Sequence, residues 1–575
     1  MSLSEIPFTP DASTTQELEQ KIQRLQDGAQ AFVSMSVLER IQLLDQALKG
    51  VKDVAERWVK LACAAKGLAY GEPESAEEWL GGPMTTMRNL RMLREALLDI
   101  SVSGRPRVLK GSLSTRPDGR VVARVFPRDI YDRTLYGGFT ADVWMQDDVT
   151  QSSAVDTMAE LYQGGTAEPQ LTLVLGAGNV ASIGPMDVMQ EMFVIGSVCL
   201  LKLNPVNAYV GPVLEEAFAA WIESGVMEIC YGGADVGEFL CQHSCIDRIH
   251  ITGSDRTHDA IVWGPAKDQA ERKRLGDRYN EKPITSELGN VSPVVIVPGQ
   301  WSAADLAFQA ENLATMIVNN GSFNCNAAKL LVMHAEWPQK AEFLDHLRQV
   351  LAKIPSRLAY YPGAHQRYEA LVSGRHDIET LGTPQSEDHL PWTLILNVDS
   401  DNPQEPIFST EPFCSVLSET SLSAPDTASF LRAASAFCND RVWGTLNVCL
   451  VVHPKTLKEP DTASAFDDAI AELQYGTVSV NHWPAVGYGL TVTPWGAYPG
   501  HSLEDIQSGR GIVHNTCMFA RPQKTVIRGP FRVFPKPPWF VTHKRAHKVA
   551  EHLTSFEYCP SPLKLPAIIF NALFG

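Results

Sequence analysis

The chain has 575 residues, too many for a single hydrophobic core, so two or three domains are expected. An apolar content of 44% and a charged content of 20% are those of an ordinary globular protein. The formal net charge of −17 argues against a nucleic-acid partner, whose phosphates call for a basic face.

The first residues, Met1-Ser2-Leu3-Ser4-Glu5, lack the basic-then-apolar order of a signal peptide. No apolar run approaches the roughly 18 residues that span a bilayer. The 11 cysteines are scattered, and Cys241 and Cys245 have no second pair to complete a zinc site. A cytoplasmic protein with reduced thiols and no bound metal is the expectation.

Residues 13–100 read as helices. Ser36-x-x-Glu39 is a capping box, followed at helical spacing by Val37, Ile41, Leu44, Leu48 and Val51. A second helical stretch covers 85–100, with Arg88, Arg91 and Arg94 expected on a solvated face. The turn signal at 116–120 and the strand 121–126 read as a hairpin.

From residue 171 the pattern alternates. The apolar run 171–175 stops at Gly176-Ala177-Gly178-Asn179, and a helix over 186–195 follows. A strand over 198–203 leads to a helix over 213–224, then to short strands at 227–230 and 248–251. The last ends at Thr252-Gly253-Ser254-Asp255. Strand, glycine turn and helix in repetition mark a parallel sheet covered by helices, and such sheets bind nucleotide cofactors at the carboxyl ends of their strands. A strand over 293–297 opens a second α/β region, with further strands at 330–333 and 393–398 and an alternation over 430–452. Near 476–481 the chain returns toward the first domain. The expected division is 1–286 with a return segment over 481–525, then 287–480, then a C-terminal extension over 526–575.

Two stretches carry candidate chemistry. Cys325 lies in the polar loop Asn319-Asn320-Gly321-Ser322-Phe323-Asn324-Cys325-Asn326, a poor setting for a core cysteine. A nucleophilic cysteine needs a base or favourable dipoles to form its thiolate, and backbone N–H groups of such a loop supply the dipoles. Glu287, just before Gly289 at the junction of the two regions, is a candidate base. Cys63, Cys199, Cys438 and Cys449 sit within apolar runs and read as core.

The order Gly178-Asn179, Lys202, Thr252-Gly253-Ser254, Glu287-Leu288-Gly289, Cys325 and Glu411-x-Phe413 resembles the aldehyde dehydrogenase superfamily over residues 30–525. The resemblance implies a Rossmann-like cofactor domain, a second α/β catalytic domain and a small β flap for oligomerisation, near 128–147 with a return strand after Arg510. It implies oxidation of a small-molecule aldehyde by NAD or NADP in a homodimer or homotetramer. Cys325 matches the nucleophile that forms the thiohemiacetal, Asn179 the oxyanion-hole asparagine, and Glu287 the base that activates water against the thioester. Lys202 matches the lysine on the adenosine ribose, Gly253 and Ser254 the helix start beneath the pyrophosphate, and Glu411 with Phe413 the pair that positions the nicotinamide end. Trp483, Trp495 and Phe323 are candidates for the substrate tunnel through adjacency to these motifs.

Three departures from the family pattern stand out. The usual loop places the nucleophile three residues after its glycine. Here an ungapped alignment on Gly321 and Lys329 puts Asn324 there and Cys325 one residue late. Either the loop is shifted or the nucleophile is absent, and the shift is the reading taken here. Pro205 replaces an acidic residue that would repel a 2′-phosphate, which leaves both NAD and NADP open. Gly178 replaces an aromatic residue, as in some acyl-CoA-reducing relatives, so an acyl-thioester reductase and a non-catalytic relative are the alternative functions. The extension carries Pro530, Pro535, Pro537 and Pro538 among aromatic residues, then Lys544, Arg545 and Lys548. Packing over its own or a neighbouring subunit is the favoured reading, and a membrane contact is the alternative.

Overall fold

The computed structural model describes residues 10–164, 168–376 and 378–575. The first five residues, read above for a signal peptide, lie outside the described residues. The N-terminal helices start where their caps predict. Thr14 and Glu17 form a capping box for Thr15–Ser34, and Ser36 and Glu39 form one for Val37–Ala65. The apolar stripe Ile41, Leu44, Leu48 and Val51 is buried, so helical spacing identified the packed face.

The helix Thr85–Ser103 corrects one expectation. Arg88 and Arg91 are buried, and only Arg94 reaches the surface, beside Asp45. Arg88 Nη1 donates to Glu557 at 2.7 Å, its Nη2 to Asp132 at 3.1 Å, and its Nε to the Leu490 carbonyl at 3.0 Å. Arg91 Nε donates to Glu557 at 2.9 Å. The C-terminal helix Ala546–Tyr558 brings Glu557 onto this face, 469 positions along the chain from Arg88. Buried guanidinium groups persist because each finds a carboxylate or a carbonyl.

A six-stranded sheet has Leu171–Leu175 near its middle, with Val198–Lys202 and then Met227–Cys230 on one side. Arg248–Thr252, Ile284–Glu287 and the short antiparallel Gly509–Arg510 lie on the other. The other pairings are parallel, as the unbroken apolar runs predict. The chain leaves the central strand in opposite directions, which opens a crevice at the carboxyl ends of Leu171–Leu175 and Arg248–Thr252. The helix expected over 186–195 is Ile183–Gln190 followed by a wide turn, Glu191–Ile195, and that over 213–224 breaks at Phe218.

The second sheet has eleven strands. Its parallel centre runs Thr477–Val480, Asn447–Val451, Pro293–Ile296, Leu330–His334, Val416–Leu422 and Trp392–Val398. The flap is Leu113–Thr115, Val121–Phe126 and Thr140–Met145, so it begins earlier than the expected 128–147. The return strand Pro522–Arg528 pairs antiparallel with Thr140–Met145 and parallel with Thr477–Val480, and joins the flap to the larger sheet within one chain. The extension packs on its own chain. Val549, Leu553, Phe556 and Ile568 cluster with Met84, and Tyr131 and Leu135 pack against them. No helix among the described residues is long and apolar enough to cross a membrane.

Candidate active site

The crevice of the first sheet is a cavity of about 1090 Å³, lined by the carboxyl-end residues Leu175, Lys202, Ile251, Thr252 and Glu287. Lys202 ends its strand 8% exposed, and its ammonium reaches only the Leu203 carbonyl, at 3.5 Å. Burial lowers its pKa, and a hydroxyl or phosphate oxygen in the cavity would restore the missing acceptor. Gly253 N–H donates to the Glu287 carbonyl at 3.0 Å, and Ser254 caps the helix Asp255–Trp263 by accepting from Thr257 N–H. That helix start borders the cavity, and a helix N-terminus favours an anion.

Glu411 and Phe413 line the same cavity. The Glu411 carboxylate packs on Gly289 so closely that a Cβ there would sit 2.2 Å from Oε2. Its buried Oε1 has no protein donor, and burial lifts its pKa to about 7. A ribose hydroxyl suits such an acceptor. An unpaired lysine, a free carboxylate oxygen and a helix N-terminus around one cavity fit a nicotinamide dinucleotide. Gly178 is also explained locally: a Cβ would meet Asn204 Oδ1 at 2.7 Å and Val206 Cβ at 3.1 Å, so the turn holding Pro205 occupies the space of a side chain.

The cysteine loop is held in an unusual backbone conformation. Asn320, Gly321 and Ser322 have φ of 53°, 63° and 70°, three left-handed residues in succession. For residues with a Cβ this is strained backbone, and it persists because the surroundings over-determine it. Asn320 N–H donates to Glu77 at 2.7 Å, and its side-chain amide donates to Asn324 Oδ1 at 3.0 Å and to the Asn179 carbonyl at 3.0 Å. Tyr360 OH donates to Asn320 Oδ1 at 2.9 Å, and the buried Lys329 ammonium donates to the Ser322 carbonyl at 2.7 Å.

Cys325 and Asn324 both border the second cavity, but only the Cys325 side chain meets Glu287. Asn324 Nδ2 donates back to Asn319 Oδ1 at 3.0 Å. The Cys325 thiol donates to Glu287 Oε1 at 3.1 Å. Burial and the neighbouring carboxylate push the Cys325 pKa well above its ordinary value, so the resting sulfur holds its proton. Burial lifts Glu287 to about 7, opposed by hydrogen bonding to the Cys325 thiol and the Trp495 indole. A carboxylate poised near neutrality beside a protonated thiol can take that proton.

Asn179 is buried beside the same loop, with Nδ2 donating to the Phe323 carbonyl at 2.9 Å. An amide nitrogen has two hydrogens, which leaves one for a developing oxyanion. The Asn179 carbonyl accepts from Lys66 at 2.9 Å and Asn320 at 3.0 Å, with the Tyr360 hydroxyl oxygen 3.2 Å away. Lys66 is itself paired with Glu78 at 2.8 Å, both buried. Sequence reasoning missed Lys66, Glu78 and Tyr360. The one available signal was a lysine four residues ahead of Tyr70 in an otherwise apolar helix end.

A second cavity of about 400 Å³ reaches Cys325 from the other side, and Asn179, Glu287 and Cys325 border both. Trp483 lines it, with its indole N–H on the Asn326 carbonyl at 2.7 Å. Trp495 and Phe323, the other tunnel candidates, are absent from its wall. Phe323 packs among Tyr360, Tyr361 and Phe413, and Trp495 lies with Leu446 and Val513 in a buried cluster against which Cys325 packs, with its indole beside Glu287.

The α/β fold resembles that of aldehyde dehydrogenases. Residues 177–359 match the model of the aldehyde dehydrogenase family. The 4-trimethylaminobutyraldehyde dehydrogenase of Bos taurus is 27% identical over 165 residues, 28% of this chain and 29% of that protein. The chain thus matches less than a third of the length of the first curated relatives. Among solved structures, the NADP complex of an NADP-dependent glyceraldehyde-3-phosphate dehydrogenase from Bacillus halodurans has a TM-score of 0.58 at 15% identity, covering 90% of this chain and 92% of that one. An aldehyde dehydrogenase from Pseudomonas syringae, in complex with NAD+ and octanal, has a TM-score of 0.60 at 15% identity and covers 91% and 90%. The resemblance to the superfamily holds in fold over nine tenths of the chain, and in sequence over 177–359.

Proposed function

We propose that this chain oxidises an aldehyde to a carboxylic acid, with NAD or NADP as hydride acceptor and Cys325 as nucleophile. The observation that carries the reading is the Cys325 thiol 3.1 Å from Glu287 at the meeting point of two cavities. One suits a dinucleotide and the other leads in from the far side.

The chemistry follows from these groups. Glu287 takes the Cys325 proton as sulfur attacks the aldehyde carbon. Asn179 Nδ2 donates to the oxygen as it gains charge, a contact of roughly 3 kcal/mol in the transition state. A bound nicotinamide would supply the hydride acceptor for the thiohemiacetal carbon and leave a thioester on Cys325. Glu287 releases that proton to solvent, then draws one from the water that attacks the thioester, and passes it to the departing thiolate to restore the thiol. Aldehyde, water and NAD(P)+ become acid, NAD(P)H and a proton. Lys202, Ser254 and Glu411 hold the dinucleotide, and Phe413 flanks its nicotinamide end. The division at residues 286/287, the oligomerising role of the flap, a homodimer or homotetramer and a cytoplasmic location belong to the same proposal. The 11 unpaired cysteines suit a reducing compartment.

The test is Cys325→Ala, assayed with an aldehyde panel and both cofactors. The expected result is loss of NAD(P)H formation and of thiol labelling at residue 325, with cofactor binding retained. Normal turnover by the variant overturns the reading.

A further inference from the structure

The cavity on the far side of Cys325 is walled by the C-terminal extension. Val533, Phe534 and Trp539 line it from the proline-rich segment, and Val549, Leu553 and Ile569 from the last two helices. This wall is fixed in place, because Glu557 on the same helix as Val549 is locked into Arg88 and Arg91. The facing wall comes from the helical region and the flap and is also apolar, with Leu80, Met84, Leu135 and Phe139.

The charged groups in this wall already have partners. Lys66 pairs with Glu78 at 2.8 Å, Glu77 with Arg357 at 3.0 Å, and Lys536 with Glu311 at 2.8 Å. Glu287 accepts from the Cys325 thiol. Among the described residues no uncompensated cation lines the passage to hold a substrate carboxylate or phosphate, and no uncompensated anion, Glu287 apart, to hold an ammonium. Burying an ionic substrate end there would leave it unpaired, at a large desolvation penalty.

We infer that the extension is a specificity-determining wall, and that the site takes an uncharged aldehyde whose alkyl or arylalkyl chain fills the passage between Cys325 and the last two helices. This rests on the reading of Cys325 as the nucleophile. A cavity of about 400 Å³ accommodates a ligand well beyond a two- or three-carbon aldehyde. Each methylene taken from water into such a wall is worth about fourfold in binding.

Ile569 is the residue to change, because it lines the cavity while remaining 40% exposed, so a lysine there keeps its stem on the wall and its charge at the mouth. The full-length protein and Ile569→Lys are compared on two series, with thermal unfolding as the folding control. The first series is the n-alkanals from three to ten carbons plus succinic semialdehyde, followed by NAD(P)H formation. The wild type is expected to gain roughly threefold in kcat/KM per methylene until the passage is full. Ile569→Lys is expected to lose at least tenfold on the longer alkanals and to gain on succinic semialdehyde, a shift that mere loosening of structure would not produce.

The second series, the unreactive n-alkanols, is followed by tryptophan fluorescence and needs no catalysis. Affinity is expected to rise with chain length and to fall in Ile569→Lys. Flat chain-length profiles, or a wild type that prefers succinic semialdehyde, overturn the inference while leaving the oxidation reading intact. Length-dependent alkanol binding without any aldehyde oxidation supports the apolar passage and overturns the oxidation reading instead.

Discussion

Glu287→Gln separates what the buried carboxylate does for catalysis from what it does to stability. Glutamine keeps the volume and can still accept from the Cys325 thiol, but it cannot take a proton. In the folded protein burial lifts Glu287 from an ordinary 4.5 to about 7. Below about pH 4.5 the group is protonated in both the folded and the unfolded chain. As pH rises toward 7 the unfolded chain ionises freely and the folded one does not, so stability is lost across that window and levels off above it. At 1.36 kcal/mol per pH unit the loss amounts to about 3 kcal/mol. Glu287→Gln has no such slope. Its stability relative to wild type should therefore improve by about 3 kcal/mol between pH 4.5 and pH 8.5, whatever constant offset the weaker thiol hydrogen bond adds. Urea unfolding followed at both pH values gives the difference directly, and the contribution of Glu411 cancels because both proteins carry it. The kinetic counterpart is a wild-type rate that rises with pH through about 7, and a variant that releases at most one NAD(P)H per active site before stalling as the thioester. A variant with full turnover and the same acid limb, or one with the wild-type pH dependence of stability, would refute the assignment of Glu287 as the buried base.

Three further outcomes are expected. Asn179→Ala should lower kcat by about 10²–10³-fold with cofactor affinity unchanged, measured by steady-state kinetics and calorimetric titration. Lys202→Ala should weaken NAD(P) binding by about ten- to a hundredfold, the worth of one charge-assisted hydrogen bond, and leave thermal unfolding unmoved. Glu557→Ala strands Arg88 and Arg91 without their carboxylate and should destabilise the protein by about 3–5 kcal/mol, visible as a lower unfolding temperature and faster proteolytic loss of the extension.

The parts of the fold that were legible in the sequence are those set by local rules. The Ser36 capping box, the apolar stripe after it and the strand–glycine–helix repeats from residue 171 appear where caps and periodicity place them. The parts that were not legible depend on distant partners. Arg88 looks like a surface residue until Glu557 and Asp132 arrive, and only the fold brings them. Lys66 follows the same logic, since its role is to hold the Asn179 carbonyl 113 positions away. A buried charge is visible in a sequence only as an anomaly, a lysine or arginine where periodicity asks for an apolar residue.

The nucleophile loop is the place where pattern alone was least able to decide. Counted from Gly321, the position in the family pattern falls on Asn324, whose amide cannot form a thiohemiacetal. Counting assumes a fixed rise per residue, and three successive left-handed residues break that assumption. They reverse the chain tightly enough for Asn324 to fold back on Asn319 while Cys325 takes the position facing Glu287. The strain is sustained by Glu77, Tyr360 and Lys329, three side chains brought in from outside the loop. Their hydrogen bonds would not be needed if the loop served only to connect a helix to a strand. Several buried donors and acceptors hold one left-handed turn, with a thiol at its end and a carboxylate 3.1 Å beyond, and the proposal that Cys325 is a displaced nucleophile accounts for that expenditure.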